Sequence, residues 1–356
     1  MSQDILIPVD TLRHFLVDLF GATGMTGENA AYSAECLILT NLWGIDSHGV
    51  LRVPIYVQRL AGKIVKANPS VTRIAGKHAF EVLDGDNGMG FIVGREAMTR
   101  AIDLAKAHGI GAVSVRSSNH FGAASLFARM ATDAGLVGIA MTNVIPNLVV
   151  PGGSKPITGN NPIAFGVPSA EPFPFMLDIS MSSVAGGKLL LASKKHEKIP
   201  LDWATDNHGH YTDDPDIGFK GFLLPVGGHK GFGLSLVVDI LSGVVSGGAF
   251  QFGINGMYKA PDAPSDTGHT MIALDPEIAL DHDEFLGRMR NFYATLKASP
   301  MWEGGREMLM PGELEYRSQL RREREGIPCP PDLLAELNAL GRAHGVATSL
   351  TPLAVA

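Results

Sequence analysis

Apolar residues recur at helical spacing near the start of the chain. Leu12, Phe15, Leu16, Leu19 and Phe20 share one face of a segment that Asp10 or Thr11 can cap and that Gly21 and Gly24 end. Thr26 starts a second helix through Ala30, Ala34, Leu37 and Ile38 to Leu42, so this part reads as a small helical unit. Beyond it, short apolar runs alternate with amphipathic stretches. Strands are expected at 78–84, 111–116, 136–142, 163–167, 175–180 and 271–275. Helices are expected after Gly94, after Gly122, over 187–198, after the GGHKG turn at 227–231, over 283–296, after Glu313 and over 332–345. The helix after GGHKG is apolar nearly all round, which places it in a core or between subunits. Residues 142–168 form a long Gly/Pro/Asn-rich excursion, and a loop of that kind in a compact domain is usually functional or intersubunit.

Composition narrows the class. The 356 residues are 45% hydrophobic and 18% charged, which excludes disorder and allows two or three packed subdomains. A net charge of −7 without a basic run argues against nucleic acid or an anionic membrane as partner. Apolar runs such as 234–245 carry Ser and Asp and are too short to span a bilayer, and the N-terminal stretch lacks a secretory pattern. Cys36 and Cys329 form neither a disulfide framework nor a metal motif, so a cytoplasmic protein without a bound metal is expected.

Three stretches carry candidate chemistry. In GAVSVRSSNHFG, at 111–122, a strand ends in turn residues and His120 lies on the loop into a helix, the edge at which α/β sheets bind ligands. A histidine there titrates near neutrality and can give or take a proton; alternatively it caps the helix or bonds backbone. In GIDSHGVLRVPIYVQRL, at 44–60, Asp46 and Ser47 are helix-start residues and Arg52 follows His48 by four positions. Neither His48 nor Arg52 neutralises the other, so the pair makes sense around an anion, the guanidinium gripping a carboxylate while the imidazole addresses the next carbon. Pro54 can mark the first turn of a new helix and splay that pair, and His48 can equally be solvated beside a capping Asp46. In the GGHKG turn, glycine N–H groups, a helix N-terminus and Lys230 together suit an anion, although a plain turn with an exposed lysine has the same sequence.

Other motifs say less. Gly88, Gly90 and Gly94 look like a dinucleotide fingerprint, but the next strand ends in arginine and serines, not in Asp or Glu. The bland reading is a tight turn with close helix packing. HExxH, CxxC, GxSxG and the Walker A spacing are all absent, and His208-x-His210 sits in a polar turn. What remains is acid–base chemistry on an anionic substrate with a phosphate-bearing cofactor.

DSHGVLRVP at 46–54, SSNHFG at 117–122, GNNPIAFGVP at 159–168, LDIS with its Ser/Met run at 177–182, GGHKGFGLS at 227–235 and PGE at 311–313 occur in order. Together they resemble the type-2 malate/lactate dehydrogenase family, which includes sulfolactate and ureidoglycolate dehydrogenases, diketogulonate reductase and cyclic ketimine reductases. The resemblance implies an α/β fold that is not Rossmann: a mixed-sheet nicotinamide-binding core over 73–298, a helical unit over 1–72 carrying the first catalytic motif, and a helical segment over 299–356 packing with it. It overrules the glycine fingerprint and implies a homodimer with sites near the subunit interface. It implies that His48 or His120 moves the proton and that Arg52 holds the substrate carboxylate. It places Val144, Asp178, Ile179, Ser180, Lys230, Gly312 and Glu313 at cofactor-contacting positions. The expected activity is hydride transfer between NAD or NADP and C2 of a small 2-hydroxy or 2-oxo acid. The alternatives are a cyclic ketimine reductase, a ureidoglycolate or sulfolactate dehydrogenase, and a dinucleotide-binding protein without catalysis.

Overall fold

A computed structural model describes residues 4–352, Lys194 by its backbone alone. The outermost residues of the two terminal segments, including the start of the stretch judged to lack a secretory pattern, lie outside the described residues.

A seven-stranded sheet runs through the centre in the order Thr72–Lys77, Phe80–Asp84, Ile110–Ser118, Thr267–Leu274, Val137–Thr142, Ile163–Val167, Phe175–Ile179. Phe80–Asp84 and Ile110–Ser118 are parallel and are joined by the helix Gly90–His108. Every other neighbouring pair is antiparallel. This mixed sheet is not a doubly wound Rossmann sheet, in which parallel strands alternate with helices throughout. Thr72–Lys77 was not among the expected strands. It is an edge strand exposed along its whole length, so it carries no alternation to read.

The helices Gly90–His108 and Ser125–Asp133 lie almost backbone to backbone on the sheet. A Cβ at Gly111 would stand 2.0 Å from the Ala101 carbonyl oxygen, and one at Gly138 would stand 2.6 Å from that of Ala128. The helix His229–Asp239 continues into a wider π-type turn, Ile240–Val244, which meets the sheet from the side of Ser114 and Thr270. The Thr270 hydroxyl donates to the Leu241 carbonyl there at 3.0 Å. Only part of that helix is buried: Ser235, Val238 and Asp239 are covered, whereas Leu234, Val237, Ile240, Val244 and Val245 are exposed.

The chain ends meet. Ile5–Ile7 pairs antiparallel with Ile327–Cys329, and Leu12, Phe15, Leu16, Leu19 and Phe20 are buried in the same core as Leu333, Leu334 and Leu337. The first helix, Val9–Ala22, departs from expectation at both ends. Pro8 precedes it with no side-chain cap, Asp10 sits in its first turn paired with Arg13, and the helix passes through Gly21. The second helix, Gly27–Leu42, is capped as expected by Thr26, which accepts from the Asn29 N–H. A satellite cluster of Val184, Leu189, Ala192, Ile199 and Ala204 gives residues 184–223 a small core of their own. Among the described residues no helix is long and apolar enough to cross a membrane.

Candidate active site

The turn carrying His48 is held from two directions. Residues 46–52 form two successive short turns, Asp46–His48 and Val50–Arg52, before the helix Val53–Ala61 begins with Pro54 in its first turn. Proline fits there because the first-turn N–H has no intrahelical partner. The expected single helical face is therefore replaced by a tighter path. Asp46 does not cap it. Its carboxylate takes Arg322 in bidentate fashion, at 2.5 and 2.9 Å, and accepts from Asn41 Nδ2 at 2.6 Å. The other end of the Asn41 amide accepts from the Val50 N–H at 2.8 Å. Gly49 is required beneath it, since a Cβ there would lie 2.1 Å from Asn41 Oδ1.

His120 follows the strand Ile110–Ser118 and is fixed by its neighbours. Asn119 donates to the Gly88 carbonyl at 2.9 Å and to Asn87 Oδ1 at 3.0 Å. Gly122 has φ +79, and a Cβ on it would meet the Phe91 ring at 2.5 Å. Its N–H approaches His120 Nδ1 at 3.3 Å, and the Tyr56 hydroxyl lies 2.5 Å from the same nitrogen. A backbone N–H can only donate, so Nδ1 is an acceptor, Tyr56 is the second donor, and the ring proton is on Nε2. The His48 ring stacks on that of His120 with centroids 5.6 Å apart and planes 15° apart. The Ser47 hydroxyl lies 2.9 Å from His48 Nδ1, and Arg52 donates from Nε to the Ser47 carbonyl at 2.7 Å. The structure thus brings together the three residues that the sequence kept apart on two motifs.

Electrostatics corrects one expectation. Burial, followed by the Arg52 charge, brings His48 down to about 4. Burial, His48 and Arg52 together hold His120 well below the ordinary histidine value. Both imidazoles are therefore neutral at pH 7 in the free protein, not poised near neutrality. Tyr56 is pushed up by burial and stays a phenol.

A cleft of about 450 Å³ opens beside this cluster. Its wall runs from Ser47 and His48 past Gly122, Ser125, Asp178 and Ser180 to Gly312 and Tyr316. The Ser125 hydroxyl is buried on this wall beside Asp178, whose carboxylate accepts the Ser125 N–H at 2.8 Å. Burial raises the Asp178 carboxyl. The size and the mixed lining, in which the hydroxyls of Ser125 and Ser180 and the Asp178 carboxyl alternate with apolar groups, fit a dinucleotide.

The other expected positions lie elsewhere. Val144 is fixed by Asn161, whose Oδ1 accepts its N–H at 2.8 Å. Ile179 is exposed on the edge strand. The Glu313 carboxylate is taken by Lys297 at 2.5 Å, Arg317 at 2.6 Å and the Met310 N–H at 3.0 Å, so it braces the Gly312 turn. Lys230 is exposed on its helix, and Gly227 and Gly228 before it line a separate cleft of about 260 Å³ with Ser183 and Tyr211. Gly88, Gly90 and Gly94 take the bland role. A Cβ at Gly90 would lie 2.3 Å from the Asn119 and His120 carbonyl oxygens, and one at Gly94 would lie 2.4 Å from the Phe127 ring.

Sequence reasoning missed Tyr56, Asn41, Arg322 and His269. Tyr56 had a signal, since it follows Arg52 by four positions at the start of a helix. Arg322 is brought to Asp46 from far along the chain and had none. His269 is wholly buried, bonded to Thr142 and Ser118 at 2.8 Å each, and stacked on Phe121 with centroids 4.5 Å apart. It braces the residues flanking His120.

Known proteins resemble this chain over nearly its whole length. The chain is 37% identical over 350 residues to the malate dehydrogenase of Pyrococcus abyssi, covering 96% of each. It is 35% identical over 321 residues to the (2R)-3-sulfolactate dehydrogenase (NADP(+)) of Chromohalobacter salexigens, covering 89% of this chain and 92% of that one. The solved sulfolactate dehydrogenase of Methanocaldococcus jannaschii superposes with a TM-score of 0.91 at 32% identity, over 96% of this chain and 98% of that one. These relatives make the protein an oxidoreductase of the dehydrogenase type. The family model for malate/L-lactate dehydrogenase matches residues 7–338, and the chain belongs to that family.

Proposed function

We propose that the protein transfers a hydride between NAD or NADP and C2 of a small 2-hydroxy or 2-oxo acid of the malate/lactate type. The observation that carries this reading is the stacking of His48 on His120 within the field of Arg52, with His48 itself lining the cleft of about 450 Å³. An imidazole donor and a guanidinium with no carboxylate partner among the described residues suit a carbonyl one carbon away from an acid group. When bound, the nicotinamide supplies or takes the hydride. Ser125, Asp178, Ser180 and Gly312 line the cleft that would hold it, and Val144, Ile179, Glu313 and Lys230 remain proposed cofactor positions outside that lining.

His120 is the proton donor in this reading. Its Nε2–H is the free edge of the ring, because Tyr56 and Gly122 occupy Nδ1. A bound carboxylate offsets the Arg52 charge and favours the imidazolium. A proton can then enter at Nδ1 as the Tyr56 hydroxyl turns from donor to acceptor, and Nε2 passes its proton to the C2 oxygen. His48, stacked on this ring, excludes water from one side and borders the substrate. Arg52 fixes the acid group so that C2 faces the hydride, which is catalysis by positioning.

The exposed Leu234, Val237, Ile240, Val244 and Val245 favour a homodimer built on this helix. The division at 1–72, 73–298 and 299–356 is retained as a proposal. A spectrophotometric screen of 2-oxo acids and cyclic imines with NADH and NADPH tests the function. Oxidation of a reduced cofactor with an oxo acid supports it; consumption with imines alone would replace it with a ketimine reductase.

A further inference from the structure

Arg52 has a partner that no motif singled out. Its Nη1 donates to the Tyr258 hydroxyl at 2.7 Å, and its guanidinium lies 5.3 Å from the centre of the Tyr258 ring. Its Nε is spent on the Ser47 carbonyl at 2.7 Å. The edge of the guanidinium that would include Nε is therefore not free for a carboxylate, which leaves the N–H groups of Nη1 and Nη2.

Tyr258 does not reach this place from a loose loop. Residues 255–265 are closed at the base, where Asn255 donates from its backbone to the Ser265 carbonyl at 3.0 Å and from its side chain to that of Pro264 at 2.9 Å. Lys259 and Ala260 both donate to the Gly256 carbonyl, at 3.0 and 2.8 Å, forming the turn that carries Tyr258. Arg59 is buried and donates to the Ala263 carbonyl at 2.6 Å and to the Ser265 hydroxyl at 3.0 Å. The Ser265 N–H reaches Asn119 Oδ1 at 3.3 Å, one residue before His120. The loop presenting Tyr258 is thus tied to the helix bearing Tyr56 and to the strand end bearing His120.

The chemistry of the contact follows. The phenol oxygen accepts from Arg52, so its own proton is left to donate. An anionic group beside Arg52 would find guanidinium N–H groups and a phenol O–H converging from two elements, and hydrogen bonds to a charged acceptor are the strong ones. We propose that Tyr258 is a substrate-positioning residue, its hydroxyl completing with Arg52 the receptor for the acid group of the substrate. This inference rests on the oxo-acid reading above.

Tyr258→Phe keeps the ring over Arg52 and removes one oxygen. The KM for the oxo acid should rise about tenfold, with kcat within about twofold of wild type and the KM for the reduced cofactor unchanged. A loop that merely packs would not produce that split. Oxamate titrated calorimetrically into each protein with its reduced cofactor gives a second measurement, expected to show the same loss of affinity. If wild type reduces an oxo acid or binds oxamate, and the variant matches or exceeds its affinity, this inference alone is overturned. If wild type does neither, the oxo-acid reading falls and this inference with it.

Discussion

The Tyr56 hydroxyl lies 2.5 Å from Nδ1 of His120, and the Gly122 N–H approaches the same nitrogen at 3.3 Å. Two donors on one nitrogen leave the proton of the neutral ring on the other. The donor edge of His120 is therefore set by a residue on a separate helix, Val53–Ala61.

Removing that hydroxyl separates tautomer control from the rest of the site. Tyr56→Phe should lower kcat for oxo-acid reduction by about tenfold, the value of one hydrogen bond to an ionisable group. Because the phenol oxygen also accepts a hydrogen bond from the Nδ1–H of the imidazolium, the pH profile of kcat should shift as well. Steady-state rates across pH check both effects, and an unchanged profile would remove Tyr56 from proton handling.

Substrate binding should take up a proton. His48 lies at about 4 and His120 also lies well below its ordinary value, so both are neutral at pH 7 in the free protein. A carboxylate placed beside Arg52 raises the pKa of an imidazole nearby. Protonation then accompanies binding, so affinity for an oxo acid should weaken as pH rises from about 6 to 8. Calorimetry of oxamate binding in two buffers of different ionisation enthalpy reads the proton count directly. No uptake at any pH in that range would contradict the assignment.

Gly90 offers a test of what the glycine motif does. A Cβ there would lie 2.3 Å from the Asn119 and His120 carbonyl oxygens, so Gly90→Ala must displace the backbone of His120. We expect kcat to fall at least about tenfold, as small misplacements of a reacting group do, with the cofactor KM little changed. A dinucleotide loop would give the opposite pattern, a raised cofactor KM with kcat kept.

Local pattern carried much of the fold into view. The amphipathic helices and the buried strand ends were legible because apolar period and burial coincide in Val9–Ala22, Ile110–Ser118 and Ile163–Val167. The exposed edge strand Thr72–Lys77 and the two-residue strands Ala204–Thr205 and Phe222–Leu223 were not, because neither solvated nor very short strands show a period. Sheet order was beyond reach, since Thr267–Leu274 inserts between strands formed far earlier. In the site, His48, Arg52 and His120 stood out by type and position. The depressed titration of the histidines did not, because it depends on burial and on the charges that two distant motifs bring together. In sequence Asp46 resembles a helix cap, because its partner Arg322 is 276 residues away.

The central claim is that His120 gives the proton as hydride reaches C2. Single-turnover oxidation of enzyme-bound reduced cofactor by a saturating oxo acid, followed at the nicotinamide absorbance in His120→Ala, tests it most directly. The account predicts a loss of at least about a hundredfold, the usual contribution of a positioned general acid, with cofactor affinity retained. Transfer at nearly the wild-type rate would contradict it.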